Sequence, residues 1–378
     1  MPAGFDVVVV GAGIVGLAHA WMAQRRGLSV LVIERTHVAQ GASVRNFGMI
    51  WPIGQPAGEL HNTALRSREL WLELQQAGAV QLATCGSIHL AHRDDEQAVL
   101  EEFCAQGSHD VSLLTADQVR QLSPLANPAG LRCGMLSQTE MRVDPRQASR
   151  SIAQWLAATC GVNFEFGTTV CTVADGTVQT TDGRQWQAEM TIVCGGSDLQ
   201  TLFPEYLQQA GLKLCKLQML AVPPQQNLSP DSAHIASGLT LRHYQSFESC
   251  PGHAQLRARI ASETPELDRY GIHVMASVMP DQRIILGDSH VYDAEITPFD
   301  SAQIDELILR ELRKVIQLQN WQIAERWHGI YARHPQQPVV AIEVSPGIQL
   351  CTGTGGAGMT MSFGLADRLW NQWQGTAS

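Results

Sequence analysis

Phe5–Val10 is an apolar run interrupted only by Asp6, the pattern of a strand buried on both faces of a parallel sheet. It leads straight into Gly11-Ala12-Gly13-Ile14-Val15-Gly16. Beyond those glycines, Leu17, Ala20, Trp21 and Ala23 recur on one face of a helix that Gly27 should end. A second apolar strand, Ser29–Ile33, follows and finishes at Glu34. Helical spacing returns at Glu59–Gln76 (Leu60, Ala64, Trp71, Leu74), at Asp94–Gln106 and at Asp300–Ile316. A capping-box pattern, Thr115 to Gln118, opens a short helix, and Asp144-Pro145 opens a longer one that Gly161 closes. The final periodic stretch is Ser362–Trp370.

Strand patterning predicts Ser87–His92, Val162–Phe166, Thr169–Ala174 and Thr177–Thr181, with hairpin turns at Asp175-Gly176 and Asp182-Gly183. Thr191–Cys194 runs into Gly195-Gly196. Further strands are expected at Lys216–Val222, Ser237–Tyr244, Ile272–Val278, Ile284–Gly287 and Ile348–Cys351. The alternation of these elements predicts an α/β protein: a Rossmann-like domain interleaved with an α+β domain on a largely antiparallel sheet. Residues 1–80, 141–215 and 322–378 are expected in the first domain, and residues 81–140 and 216–321 in the second.

The 378 residues suit two domains, and a net charge of −10 argues against nucleic acid as the main partner. No apolar run reaches the ~18 residues of a membrane span, and the start of the chain has no leader pattern. Nine scattered cysteines without a CxxC pair read as reduced thiols of a cytoplasmic protein, and no metal-ligand spacing is present.

The first stretch carries chemistry. Gly11 permits a tight turn, Gly13 lets the backbone approach a pyrophosphate, and Gly16 lets the helix press on the strand. The helix N-terminus offers free N–H groups to phosphate, and Glu34 stands where a ribose 2′-OH would be bound. Strand, glycines, helix, second strand and terminal acid agree on a dinucleotide.

Three stretches in this order resemble the flavin amine-oxidase family of D-amino-acid oxidase, glycine oxidase and sarcosine oxidase. They are Gly11–Gly16 with Glu34, then Gly41–Met49, then Cys351–Ala366. The resemblance covers essentially the whole chain and implies FAD, not NAD. It implies cofactor contacts from Gly11 to Gly16 (with Ala12, Ile14 and Val15), Glu34 and Arg35, and from Ser43, Arg45, Asn46, Phe47 and Gly48. It adds Val170, Cys194, Gly195, Gly196, Gly356, Gly358, Met359 and Thr360. The segment Arg326–Val340, where some relatives attach FAD through a cysteine, has none, so the FAD is expected to be non-covalent.

That family passes hydride from the carbon beside nitrogen to the flavin. Members acting on amino acids carry Gly-(apolar)-Arg-Pro where this chain has Gly329-Ile330-Tyr331-Ala332-Arg333. In an extended segment Tyr331 and Arg333 share a face. A narrower resemblance, carried by Arg45–Pro56, Leu241–Cys250, Gly287–Tyr292 and Gly329–Ala332, is to oxidases linked to aminophosphonate breakdown. It implies a small anionic amine such as N-methyl-2-aminoethylphosphonate, with O2 or an electron carrier as acceptor. Tyr331, His290 and Met49 are expected at the reacting centre. Trp51, Arg242, His243, Tyr244, Arg333 and His334 are expected around the substrate. The alternatives are a glycine, sarcosine or D-amino-acid oxidase or dehydrogenase, and a non-catalytic flavin-binding subunit.

Overall fold

The computed structural model describes residues 3–226 and 228–375. The first apolar run becomes β1 (Ala3–Val10), the centre of an eight-stranded sheet. It pairs in parallel with β2 (Val30–Glu34) on one side and with Gln185–Val193 on the other. Helix α1 (Ile14–Gln24) makes the crossover between β1 and β2, as two parallel neighbours require. Asn163–Phe166 and Ile348–Thr352 extend the parallel part. Asp175 and Gly176, both at positive φ, turn the antiparallel hairpin beside it.

Helix α1 lies on one face of this sheet, and Glu59–Gln76, Pro145–Cys160 and the last helix, Gly358–Gly375, share its core. Phe363 meets Trp21 and Trp71 edge-on at 5.6 and 4.9 Å. The last helix starts four residues before its apolar stripe, Ser362–Trp370, because its first turn faces a cavity rather than the core.

The second sheet has nine strands, and all its pairings but one are antiparallel. Helix Ala302–Val315 buries Ile304, Leu307, Ile308, Leu312 and Val315 in the core beneath it. Two expectations change here. Glu325–Arg333, assigned by the sequence to the nucleotide-side segment 322–378, pairs with Lys213–Val222 of the second sheet, from Lys213 opposite Arg333 to Ala221 opposite Glu325. Its pattern announces a strand but carries no signal of which sheet it joins.

Ser237–Tyr244, expected as a strand, is instead a 3-10 turn at Gly238–Arg242 after a short strand, His234–Ala236. The Thr240 hydroxyl and N–H both donate to Ser237 O, a local bond that competes with the sheet ladder. No helix among the described residues is long and apolar enough to cross a membrane. All nine cysteines are free thiols.

Candidate active site

Parallel strands leave a crevice beyond their carboxyl ends, and here it is a cavity of about 390 Å³. Its floor is the first glycine turn. A Cβ on Gly11 would lie 2.5 Å from Cys194 O, and one on Gly16 would lie 1.9 Å from Gly11 O, so only glycine permits this approach of strand, turn and helix. At the α1 N-terminus, Ile14 N–H donates to Ser43 Oγ at 2.9 Å. Glu34 is held at the end of β2 by three donors: Ala12 N–H on Oε2 (2.8 Å), and the Thr36 N–H and hydroxyl on Oε1.

A second helix N-terminus enters the same cavity. Gly353 and Gly355, both at positive φ, turn the chain after Ile348–Thr352 so that Gly358 starts the last helix there. Two helix starts therefore face one cleft, with the Glu34 carboxylate beside the first of them. This donor set fits a dinucleotide whose phosphates lie near one helix and whose second ring system lies near the other.

Gly11, Gly13, Ile14, Val15, Gly16, Glu34, Arg35, Ser43, Arg45 and Asn46 line this cavity, with Val170, Cys194, Gly195, Gly196, Gly356, Gly358 and Met359. Ala12 and Gly48 do not. Ala12 instead bonds Glu34, and Gly48 takes a positive φ where a Cβ would lie 2.0 Å from Val143 O. Phe47 and Thr360 face the neighbouring cavity. Asn46 spends both amide groups on its own loop, donating to Ala42 O and Ser43 O and accepting from Gly48 N–H, so it shapes the loop. Arg35 is paired with Asp198 at 2.7 Å.

The neighbouring cavity, about 210 Å³, shares Leu217, Tyr331, Gly356 and Met359 with the first, so the two meet there. Met49, Trp51, Tyr244, His243, His290, Tyr331, Arg333 and His334 all line it. Tyr331 and Arg333 do share a face of their strand, and Arg333 Nη1 donates to Tyr292 Oη at 2.7 Å. Burial raises the Tyr331 phenol well above its ordinary range, so it is a neutral hydroxyl. His334 Nδ1 already accepts from the Gln336 and Gln337 N–H groups.

Arg242 is the exception. In a strand Arg242 and Tyr244 would share a face, but the 3-10 turn sends His243 and Tyr244 into the cavity and Arg242 away from it. Its guanidinium pairs with Asp268 and donates to Leu239 O and Ile272 O.

Two further titratable residues reach the cavity that were not among the expected site residues, His273 and Asp288. Asp288 stands two residues before His290, which was the available clue: alternate residues of an extended segment project together. His273 faces Asp288 across the Met275–Val278/Ile284–Gly287 hairpin, each N–H donating to the other's carbonyl. Burial pushes the Asp288 carboxyl well up and the His243 and His273 imidazoles well down, and it lowers His290 to about 4. Apolar Phe47, Met49, Trp51 and Met219 form much of the remaining wall, which suits a reaction protected from water.

Comparison with known proteins agrees with this geometry. The family model described as DAO, FAD dependent oxidoreductase, matches residues 6–370. The fold is similar to that of glycine oxidase from Bacillus cereus ATCC 14579, with a TM-score of 0.77 at 17% identity over 98% of this chain and 95% of that one. It is also similar to dithionite-reduced L-α-glycerophosphate oxidase from Mycoplasma pneumoniae with FAD bound, with a TM-score of 0.74 at 19% identity over 97% and 95%. Among curated proteins, the chain is 28% identical over 215 residues to the tRNA 5-methylaminomethyl-2-thiouridine biosynthesis bifunctional protein MnmC of Aeromonas hydrophila. That match takes in 53% of this chain and about a third, 31%, of that protein's length.

Proposed function

The chain belongs to the family of FAD-dependent oxidoreductases, and from that premise we propose that it oxidises the C–N bond of a small anionic amine, an N-alkylated 2-aminoethylphosphonate being the favoured substrate. The observation that carries this is the pairing of the two cavities. A dinucleotide cleft opens at Tyr331, Gly356 and Met359 into a small chamber with an apolar wall and one guanidinium, Arg333.

Bound FAD supplies the two-electron acceptor for the hydride that leaves the carbon next to nitrogen. The chain's own groups place that carbon. Arg333 and the neutral Tyr331 hydroxyl donate to the substrate's anionic group, while Met49 and Trp51 confine the alkyl part and exclude water. Loss of two electrons and two protons turns the amine into an imine, and water then splits the imine into an aldehyde and a primary amine. Phe47, Met49, Arg45 and Asn46 come from one loop, so the loop that borders the cofactor cleft also shapes the substrate chamber.

A phosphonate is favoured over a carboxylate because Tyr331 stands where relatives handling amino acids carry their arginine, and because four further polar side chains, His243, His273, Asp288 and His290, gather at the chamber's polar end. A carboxylate needs fewer partners. The fold neighbour from Mycoplasma pneumoniae is itself named for a phosphorylated substrate. The second reading, a glycine- or sarcosine-type substrate, is favoured by Arg333, which would grip a carboxylate as well.

The test is product identification. The purified holoprotein is incubated in air, and separately with an artificial electron acceptor, with N-methyl-2-aminoethylphosphonate or sarcosine, and the aldehydes are trapped as hydrazones. A phosphonoaldehyde together with methylamine is expected. Aldehyde from sarcosine alone would overturn the phosphonate reading, and none from any amine would point to a non-catalytic subunit.

A further inference from the structure

We propose that His243, His273 and His290, with Asp288 beside them, bind a divalent transition-metal ion of the zinc type at the polar end of the substrate chamber. The four side chains come from three places in the second sheet's region. His243 follows the 3-10 turn, His273 precedes strand Met275–Val278, and Asp288 and His290 follow strand Ile284–Gly287. One nitrogen from each imidazole lies within 4.8 Å of the others. Tetrahedral zinc bonds of ~2.0–2.1 Å set ligand nitrogens ~3.4 Å apart, so side-chain rotations of about 1 Å or less bring all three into range.

Unmet polar atoms are the independent observation. His273 Nδ1 and Nε2 and Asp288 Oδ1 are buried without a hydrogen-bond partner in the protein. His273 Nε2 and Asp288 Oδ1 approach to 3.3 Å without an aligned hydrogen bond. The His273 side chain is 3% exposed and that of Asp288 6%. Buried polar side-chain atoms are almost always partnered, so three unmet in one place point to a ligand.

The orientation of His290 also fits. His290 Nδ1 faces Gly271 O at 3.3 Å, which turns Nε2 toward Asp288 at 3.7 Å. A ring whose second nitrogen is tied to a backbone carbonyl is the usual arrangement of a metal-bound imidazole. Arg333 in the same chamber opposes a cation, while the Asp288 side chain stands beside the His273 and His290 Nε2 atoms at 3.3 and 3.7 Å. Three imidazoles leave a position open to the chamber. There a substrate phosphonate oxygen completes the coordination, a role that rests on the proposed substrate, whereas the site itself does not.

The test uses the FAD-loaded protein. Metal content is measured by plasma mass spectrometry as purified, and chelator-dialysed holoprotein is titrated with Zn2+ by calorimetry. One equivalent per chain is expected, weakened at least about 100-fold in His243→Asn and in His273→Ala. Retained flavin absorbance checks the fold. His243 is the more exposed ligand, so its variant carries the test if His273→Ala fails to fold. No zinc binding by the wild type would overturn the proposal, and so would equal binding by His243→Asn, which would place the ion elsewhere, for example at the His61–His109 ring pair. Zinc bound by a protein that does not act on the phosphonate leaves the site standing and removes only the substrate. Phosphonate oxidation by a protein that binds no zinc does the reverse.

Discussion

Replacing Gly16 by Ala tests whether the first glycine turn is shaped by contact or merely flexible. The added Cβ would stand 1.9 Å from Gly11 O, 3.0 Å from Gly11 C and 3.3 Å from Val9 Cγ1. Two of these are backbone atoms and cannot rotate aside. Real Cβ contacts stop near 3.0 Å, so α1 must retreat from the turn by about 1.1 Å. That movement strains the 2.9 Å bond from Ile14 N–H to Ser43 Oγ and draws the helix's free N–H groups away from the cleft. Overpacking of this kind costs ~1–3 kcal/mol. If the cost falls on the cofactor site, FAD affinity drops roughly 5- to 150-fold. The assay is titration of the apoprotein with FAD, followed by flavin fluorescence, with a thermal melt alongside. Gly4→Ala is the control, because β1 is extended there and nothing lies within 4 Å of its Cβ. An unchanged FAD affinity in Gly16→Ala, or an equal loss in Gly4→Ala, would refute the reasoning.

Arg333→Met keeps the alkyl stem and removes the charge-assisted donor. It should raise the dissociation constant for an anionic amine ~10- to 150-fold, the worth of ~1.5–3 kcal/mol, with little change in the limiting rate of flavin reduction. Stopped-flow reduction across substrate concentrations separates the two parameters. Burial lowers His19, His89 and His234 to about 3 from 6.5. The unfolded chain therefore binds protons that the folded one refuses, and stability present above pH 6.5 is lost as pH falls towards 3. Between pH 6.5 and 5.5 the three together forfeit about 3 kcal/mol, seen as a falling midpoint in urea unfolding; a flat profile would contradict the burial argument. Acid precipitation should release all the yellow colour to the supernatant, since no cysteine occurs in Arg326–Val340 and burial holds Cys194 and Cys351, which line the cofactor cavity, as unreactive protonated thiols. Colour retained in the pellet would mean a covalent link.

Where local physics decides structure, the sequence was readable. Helices Glu59–Gln76 and Asp94–Gln106 lie where their apolar spacing put them, and Thr115 and Gln118 exchange the two capping bonds their types predict. The cofactor cleft was legible for the same reason, since its glycines sit in one local strand–turn–helix unit and its acid ends the next strand. The substrate chamber was legible only in part. Tyr331 and Arg333 followed from strand alternation. Arg242 was misplaced because a Thr240 side-chain bond, invisible to hydropathy, curls the chain. His273 and Asp288 face each other across the Met275–Val278/Ile284–Gly287 hairpin, but their meeting with His243 depends on the 3-10 turn that hydropathy did not reveal.

The most direct test of the account is anaerobic bleaching of the yellow holoprotein by a matched pair of substrates. N-methyl-2-aminoethylphosphonate and sarcosine are both N-methylated amines, but they carry different anions. The account predicts full loss of the ~450 nm flavin band with the phosphonate at concentrations where sarcosine leaves it intact. Bleaching by sarcosine alone would contradict the assignment of the chamber to a phosphonate. Bleaching by neither, nor by glycine, D-alanine or 2-aminoethylphosphonate, would contradict amine oxidation itself.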